Sequence, residues 1–118
     1  MLKEDKLVQM VADACLEEKA GDVVILDVSE LTIIADYFVI ASGRSTVQVK
    51  SIVEHVEEKL EECGVNPARK EGHEQGLWAV LDYSSTILHV FRQQEREYYE
   101  LENLWGGAKE VAIENSIS

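Results

Sequence analysis

The hydrophobic pattern at the start of the chain is that of an amphipathic helix. Apolar residues recur there every three or four positions, at Leu7, Met10, Val11, Ala14 and Cys15. This spacing places them on one face of a helix, whereas Asp13, Glu17 and Glu18 lie on the opposite face. Gly21 follows as a suitable helix stop.

Two short apolar runs follow this helix, over residues 23–28 and 37–42. Their length suits a strand and is too short for a typical helix. Because neighbouring residues of a strand point to opposite faces of its sheet, unbroken apolar runs predict strands that are covered on both faces.

The most regular helical pattern begins at Ser45. Its apolar stripe consists of Val49, Ile52, Val53, Val56, Leu60 and Cys63. Ser45 and Gln48 have the spacing of a capping box, in which each side chain satisfies a backbone donor of the first turn. Glutamates fill much of the remaining surface, and Gly64 and Pro67 predict the end of the helix.

The sequence after this helix predicts a connecting segment followed by a β-hairpin. Residues 65–76 carry glycine and proline among charged residues, which is typical of a connection, with a short edge strand around 68–71. Residues 77–83 and 87–91 predict two antiparallel strands joined by a turn at 84–86.

The C-terminal residues predict one more helix and a tail. The helix runs from Gln94 to Trp105, and it ends before Gly106. Its apolar side consists of Tyr98, Leu101, Leu104 and Trp105. We expect residues 106–118 to form a flexible C-terminal tail. The order of elements predicts an α/β (α+β) fold, a mixed β-sheet flanked by helices, as a single domain over residues 1–105.

The composition narrows the choice of partner. The chain has 118 residues, with 11 Lys and Arg against 23 Asp and Glu, so its formal net charge is −12. This length and a hydrophobic content of 46% suit one globular domain. The acidity argues against a protein that holds nucleic acid by its phosphates, and it favours a basic partner.

The cysteine pattern and the lengths of the apolar segments predict where in the cell the protein is found. Cys15 and Cys63 both lie in apolar patterns, which predicts two reduced, buried thiols in an intracellular protein. The first residues lack the pattern of a secretory signal, and the apolar stretch over 31–41 is too short for a membrane helix. We therefore expect a cytoplasmic protein that does not bind a membrane.

The turn over residues 42–45 is the most enzyme-like feature, because a strand-to-helix junction can bind an anion. Nucleotidyl transfer would also need paired carboxylates on a following strand to hold a metal ion. Residues 68–71 lack such a pair, and the next strand has only Asp82. His89, within a strand, is typical of a hydrogen-bonded structural or interface histidine. We expect no metal ion and no cofactor.

The C-terminal half concentrates residue types that dominate protein–protein hot spots. They are Trp78, Tyr83, Tyr98, Tyr99 and Trp105, with Arg92 and Arg96. Core packing explains any one of the aromatic residues about as well as partner binding does. Trp78, Val80 and Asp82 share one face of a predicted strand, so either helices or a partner must cover that face.

Four segments give the chain a family resemblance. They are residues 36–43 (DYFVIASG), 78–83 (WAVLDY), 89–91 (HVF) and 96–105 (REYYELENLW). In combination they resemble the ribosomal silencing factor family (RsfS, also called Iojap-like), and the resemblance extends from the first helix to Trp105.

The resemblance implies a non-enzymatic function. Members of this family bind a large-subunit ribosomal protein, the fourteenth of that series, on the face that meets the small subunit. They thereby block subunit joining and repress translation. Their fold resembles that of nucleotidyltransferases but lacks the catalytic carboxylates. This sequence likewise lacks a carboxylate pair.

On this interpretation, the partner-binding residues are Trp78, Asp82, His89, Arg96, Tyr99 and Trp105. Trp78 and Tyr99 would be apolar anchors, and Asp82 would accept a hydrogen bond from a partner's Lys or Arg. His89 and Arg96 would orient the contact, and Trp105 would mainly dock the last helix.

The expected partner is the large ribosomal subunit, bound through a basic ribosomal protein without sequence-specific contact to nucleic acid. Two alternatives are a nucleotidyltransferase-related enzyme that uses the Gly43 turn and a homodimeric adaptor whose aromatic face closes on itself.

Overall fold

The structure, a computed structural model, describes residues 4–100, 103 and 105–114. Within these residues, the helices are α1 (Glu4–Glu17), α2 (Thr46–Glu61) and α3 (Gln93–Tyr99). The strands are β1 (Gly21–Asp27), β2 (Tyr37–Gly43), β3 (Arg69–Glu71), β4 (Trp78–Asp82), β5 (Thr86–Arg92) and β6 (Lys109–Val111).

The described strands form one six-stranded sheet in the order β3-β4-β5-β2-β1-β6. The β2–β5 pair is parallel, and all the other neighbouring pairs are antiparallel. The chain crosses from β2 to β5 through α2 and the β3–β4 hairpin. The predicted fold class, a mixed sheet flanked by helices, is therefore confirmed.

The inner face of the sheet packs against α1 and α2. Alternate residues of the central strands point to this face, among them Ile25, Val39, Leu81 and Leu88. They form one buried core with the apolar stripes of both helices, which include Val11 and Cys15 of α1 and Val49, Ile52, Val53, Val56 and Leu60 of α2.

The start of α2 carries the predicted cap in a modified form. The Ser45 hydroxyl accepts a hydrogen bond from the backbone N–H of Gln48 at 3.1 Å. The Gln48 side-chain oxygen accepts from the backbone N–H of Arg44 at 2.7 Å, one residue before the cap. The Gln48 amide nitrogen also donates to the carbonyls of Glu18 and Lys19, at 3.3 and 3.1 Å. This one side chain therefore ties the end of α1 to the start of α2.

The outer face of the sheet carries a second apolar cluster. Its buried residues are Leu26, Val28, Ala35, Phe38, Ile40 and Phe91. Trp78, Ile87, Trp105 and Ala108 pack against it and are only partly buried. The consecutive apolar residues of β1 and β2 are explained by these two clusters, because each strand contributes to both.

The structure differs from the sequence-based expectation at Cys63. Cys15 is buried, and burial raises the pKa of its thiol to about 12. Cys63, in contrast, is exposed, because α2 ends at Glu61 and the chain turns away before the thiol reaches the core. The prediction of a buried Cys63 is wrong.

The last predicted helix is interrupted at residue 100, and residue 103 is helical again. Helix α3 ends at Tyr99 because Glu100 adopts a left-handed backbone conformation, with a φ angle of 47°. Tyr98, which we expected on the buried side, is 80% exposed. Leu101 and Leu104 lie outside the described residues.

The segment after Trp105 also differs from the expected flexible tail. Residues 109–111 form β6, which pairs with β1 from Ile25 to Asp27. Gln9 of α1 fastens the next residues, since its amide nitrogen donates to the Ala112 carbonyl at 2.9 Å. The sheet thus extends past the boundary predicted at residue 105, while residues 115–118 lie outside the described part of the chain.

Candidate protein-binding face

Strands β4 and β5 position the predicted contact residues on the outer face of the sheet. Along β4, Ala79 and Leu81 are buried in the inner core, whereas Trp78, Val80 and Asp82 are half-buried. Trp78 is paired in register with Phe91, Val80 with His89, and Asp82 with Ile87. Because the period of a strand is two residues, all six side chains lie on one face.

An aromatic cluster, Trp78, His89, Phe91 and Tyr99, forms one end of this face. The Trp78 ring stacks on Phe91 with 4.8 Å between centroids and 27° between planes. Its centroid also lies 5.0 Å from that of Tyr99, which α3 brings over the sheet. Tyr99 remains 45% exposed. The two residues expected to be anchors are thus adjacent, and both remain accessible.

The cluster continues towards the centre of the sheet through Phe38. Its ring centroid lies 5.0 Å from that of His89 and 5.0 Å from that of Trp105. Both contacts are edge-to-face, a favourable geometry for aromatic rings. Trp105 therefore packs against the outer face through Phe38, which agrees with a docking role.

His89 is nearly buried within the cluster, with 9% of its surface exposed. Its Nδ1 atom accepts a hydrogen bond from the Trp78 indole N–H at 3.1 Å. Burial lowers the pKa of His89 to about 4, so the ring is neutral at pH 7. With Nδ1 acting as an acceptor, the proton lies on Nε2, which is buried and has no hydrogen-bond partner among the residues that the structure describes.

Asp82 lies at the opposite end of β4 and remains half-buried. Its carboxylate accepts a hydrogen bond from the backbone N–H of Ser84 at 2.7 Å. Ser84 has a φ angle of 72°, so this bond stabilises a strained turn between β4 and β5. Asp82 therefore has a local structural role besides the predicted contact.

Arg96 is buried, unlike Asp82, the other charged residue predicted for the site. Its guanidinium donates to the Asp22 carbonyl at 2.5 Å and to the Ser42 hydroxyl at 2.9 Å. These bonds fasten α3 to β1 and β2, on the helix that carries Tyr99. The geometry favours an internal role for Arg96, in holding α3 against the sheet.

The turn over residues 42–45 borders a cavity of about 490 Å³. Its lining includes the acidic residues Asp22, Glu97 and Glu100 and also Arg96. A second cavity, of about 510 Å³, lies against the turn itself, and its lining includes Arg44, Ser45, Arg92 and Glu97. Within residues 4–100, 103 and 105–114, no group of three or more His, Cys, Asp or Glu side chains is arranged to hold a metal ion.

Sequence reasoning missed an exposed apolar loop between β1 and β2. Leu31 is 45% exposed, Ile34 is 62% exposed, and Ile33 is fully exposed. The loop is held by backbone bonds, including those from Leu31 and Thr32 to the Val28 carbonyl. The signal for this loop in the sequence is the presence of apolar residues at positions 31, 33 and 34, within a connection between two strands.

None of the helices in the described part of the chain has the length and hydropathy required to cross a membrane.

Known proteins are similar to this chain over nearly its whole length. Residues 2–118 match the family described as RsfS, ribosomal silencing factor during starvation. A ribosomal silencing factor RsfS from Halalkalibacterium halodurans is 38% identical over 117 residues, covering 99% of this chain and 100% of the relative. A crystal structure of a protein from Chromobacterium violaceum has a TM-score of 0.87 and 33% identity, covering 99% of this chain and 100% of that one.

A more distant relative is the mouse protein named mitochondrial assembly of ribosomal large subunit protein 1. It is 32% identical over 101 residues, which are 83% of this chain and 44% of the mouse protein. The match over nearly the whole sequence and the agreement in fold lead to one conclusion: the chain belongs to the RsfS family of ribosomal silencing factors.

Proposed function

We propose that this protein binds the large ribosomal subunit through the outer face of its sheet and thereby blocks joining of the small subunit. The observation that carries the proposal is the adjacent pair Trp78 and Tyr99, two accessible aromatic residues on a rigid sheet and helix. Aromatic anchors of this kind supply most of the energy of protein interfaces. Family membership supports the ribosome as the target, and the mouse relative's name refers to the large subunit.

The proposed partner on the large subunit is a basic ribosomal protein, the fourteenth of its series. With a net charge of −12, this chain is repelled by exposed RNA and attracted by a basic protein surface. Complementary charge mainly accelerates encounter and selects the partner, whereas the apolar anchors determine how long the complex persists.

The predicted site residues take different roles in this proposal. Trp78 and Tyr99 make the apolar contact, and the half-buried Asp82 accepts a hydrogen bond from a partner's Lys or Arg. Arg96 orients the contact from inside by holding α3, and Trp105 docks against Phe38.

We propose that the protein acts without catalysis. A steric block requires only that a compact domain occupies the surface where the two subunits meet. Strand β3, Arg69–Glu71, carries a single carboxylate where nucleotidyl transfer would need a pair to hold a metal ion, which weighs against the enzymatic alternative.

Cosedimentation with purified large subunits tests the proposal, together with subunit joining followed by light scattering. We expect Trp78→Ala to weaken large-subunit binding about 30-fold, the effect of losing a hot-spot residue. Val47→Ala is the matched control, because Val47 is an apolar residue that is 71% exposed at the start of α2. Urea unfolding of each variant separates lost contact from lost fold.

The alternatives give different outcomes in the same experiments. If the wild-type protein fails to sediment with large subunits at physiological salt, the proposal is wrong. Concentration-dependent sedimentation of the protein alone would favour the homodimeric adaptor. Saturable calorimetric binding of a nucleoside triphosphate with Mg²⁺ would favour the enzyme.

A further inference from the structure

The Trp78 indole has its one hydrogen-bond donor turned into the protein. The indole N–H donates to Nδ1 of His89 at 3.1 Å, while one face of the ring stacks on Phe91. An indole has no second donor and no acceptor. Any partner that contacts Trp78 therefore meets carbon atoms of the ring.

His89 is not itself positioned to contact a partner. Only 9% of its surface is exposed, and its ring lies among Phe38, Trp78 and Phe91. Access to its Nε2–H would require movement of the side chains that cover it, because this atom is buried.

An apolar residue at position 89 would avoid the cost of burying Nε2–H without a partner. The histidine is therefore poorly explained by packing alone. Unlike leucine or phenylalanine, histidine supplies an acceptor atom at this position, Nδ1, which accepts the hydrogen bond from the Trp78 indole N–H.

We infer that His89 is a positioning residue: its Nδ1 atom fixes the orientation of Trp78, so that the indole offers a partner a purely apolar ring surface and not a hydrogen-bond donor. This inference rests on the proposed function, since it assumes that Trp78 contacts the large subunit. It predicts that His89 acts on binding only through Trp78.

A double-mutant cycle measured by large-subunit binding tests this dependence. We expect His89→Leu to weaken binding about threefold to tenfold, the equivalent of one hydrogen bond. In a Trp78→Phe background, where no indole N–H exists, we expect His89→Leu to have no further effect. Equal losses in both backgrounds would overturn the inference, and so would no loss in either.

A matched pair of variants tests the same point without removing a polar group. In His89→Asn, the amide oxygen stands near the position of Nδ1 and accepts from the indole, so binding is retained. In His89→Gln, the polar atoms stand near the position of Nε2, so binding is weakened. The reverse order would show that Nε2, not Nδ1, matters.

An NMR measurement decides the positioning role without ribosomes. The Trp78 indole N–H signal, identified by its loss in Trp78→Phe, should exchange with solvent at least several times faster in His89→Leu than in the wild type. Unchanged exchange would refute the role of Nδ1. If the wild-type protein failed to bind large subunits, the proposed function would fail, while this measurement would still decide whether His89 holds Trp78.

Discussion

The buried His89 makes the stability of the protein sensitive to acid over a defined pH range. Burial lowers the pKa of His89 from 6.5 to about 4, whereas in the unfolded chain the imidazole is solvated and titrates near 6.5. As the pH falls below about 6.5, the unfolded chain therefore takes up a proton that the folded protein does not bind.

The two pKa values differ by about 2.5 (6.5 minus about 4). At 1.36 kcal/mol for each pKa unit, this corresponds to a loss of about 3 kcal/mol of unfolding free energy. The stabilisation is fully present above pH 6.5, declines between pH 6.5 and 4, and is absent below pH 4. For a domain of this size, about 3 kcal/mol is a large fraction of the total stability.

Urea unfolding of the wild type and of His89→Leu at pH 7, 6, 5 and 4 measures this effect. Both proteins contain the same carboxylates, so the difference between their unfolding free energies isolates His89. We expect the wild type to lose about 3 kcal/mol relative to His89→Leu between pH 7 and 4. A difference that stays constant over this range would refute the reasoning, since it would mean that the folded protein protonates His89 as readily as the unfolded chain.

Two further predictions concern the fold around the site. Arg96→Ala removes the donor to the part-buried Asp22 carbonyl and to the buried Ser42 hydroxyl, and we expect it to lower the free energy of unfolding by about 3 kcal/mol in urea titrations. Gly72→Ala places Cβ 2.0 Å from the Trp78 carbonyl oxygen at a φ angle of 74°, so we expect a loss of about 3 kcal/mol or more. Because Gly72 supports the backbone of Trp78, this variant should also bind large subunits more weakly.

Each prediction has a control in the same chain. Arg92→Ala removes an arginine whose ion pair with Glu95, at 2.6 Å, is accessible to solvent, so it should change stability far less than Arg96→Ala does. Gly64 has a φ angle of 78°, and a Cβ added there meets no atom of the described residues within 4 Å, so Gly64→Ala should cost only the backbone strain of about 1 kcal/mol. Equal losses in either pair would contradict the structural explanation.

The sequence predicted most of the fold because local patterns determine most of it. The stripe and cap of α2 are contained within neighbouring turns, and all five of its buried residues, Val49, Ile52, Val53, Val56 and Leu60, were predicted. The apolar runs in β1 and β2 predicted coverage of both sheet faces, as the two clusters confirm.

The differences arise where distant residues determine the local structure. Arg96 is buried because its acceptors include the Asp22 carbonyl, 74 positions earlier in the chain, and no periodicity carries that information. Strand β6 has three residues and no strong pattern, and its partner is β1. The roles of Trp78 and His89 could likewise be proposed from residue type, but the hydrogen bond that links them required the register of β4 with β5.

The side-chain amide of Gln48 explains why a glutamine, and not a glutamate, stands at this position of the glutamate-rich helix α2. A glutamate at this position could accept the hydrogen bond from Arg44, but it has no donor for the carbonyls of Glu18 and Lys19. Those carbonyls lie at the negative end of the α1 dipole, and they would repel a carboxylate. A side chain that is both acceptor and donor can serve the start of one helix and the end of another, so this link between the two helices depends on one amide nitrogen in place of a carboxylate oxygen.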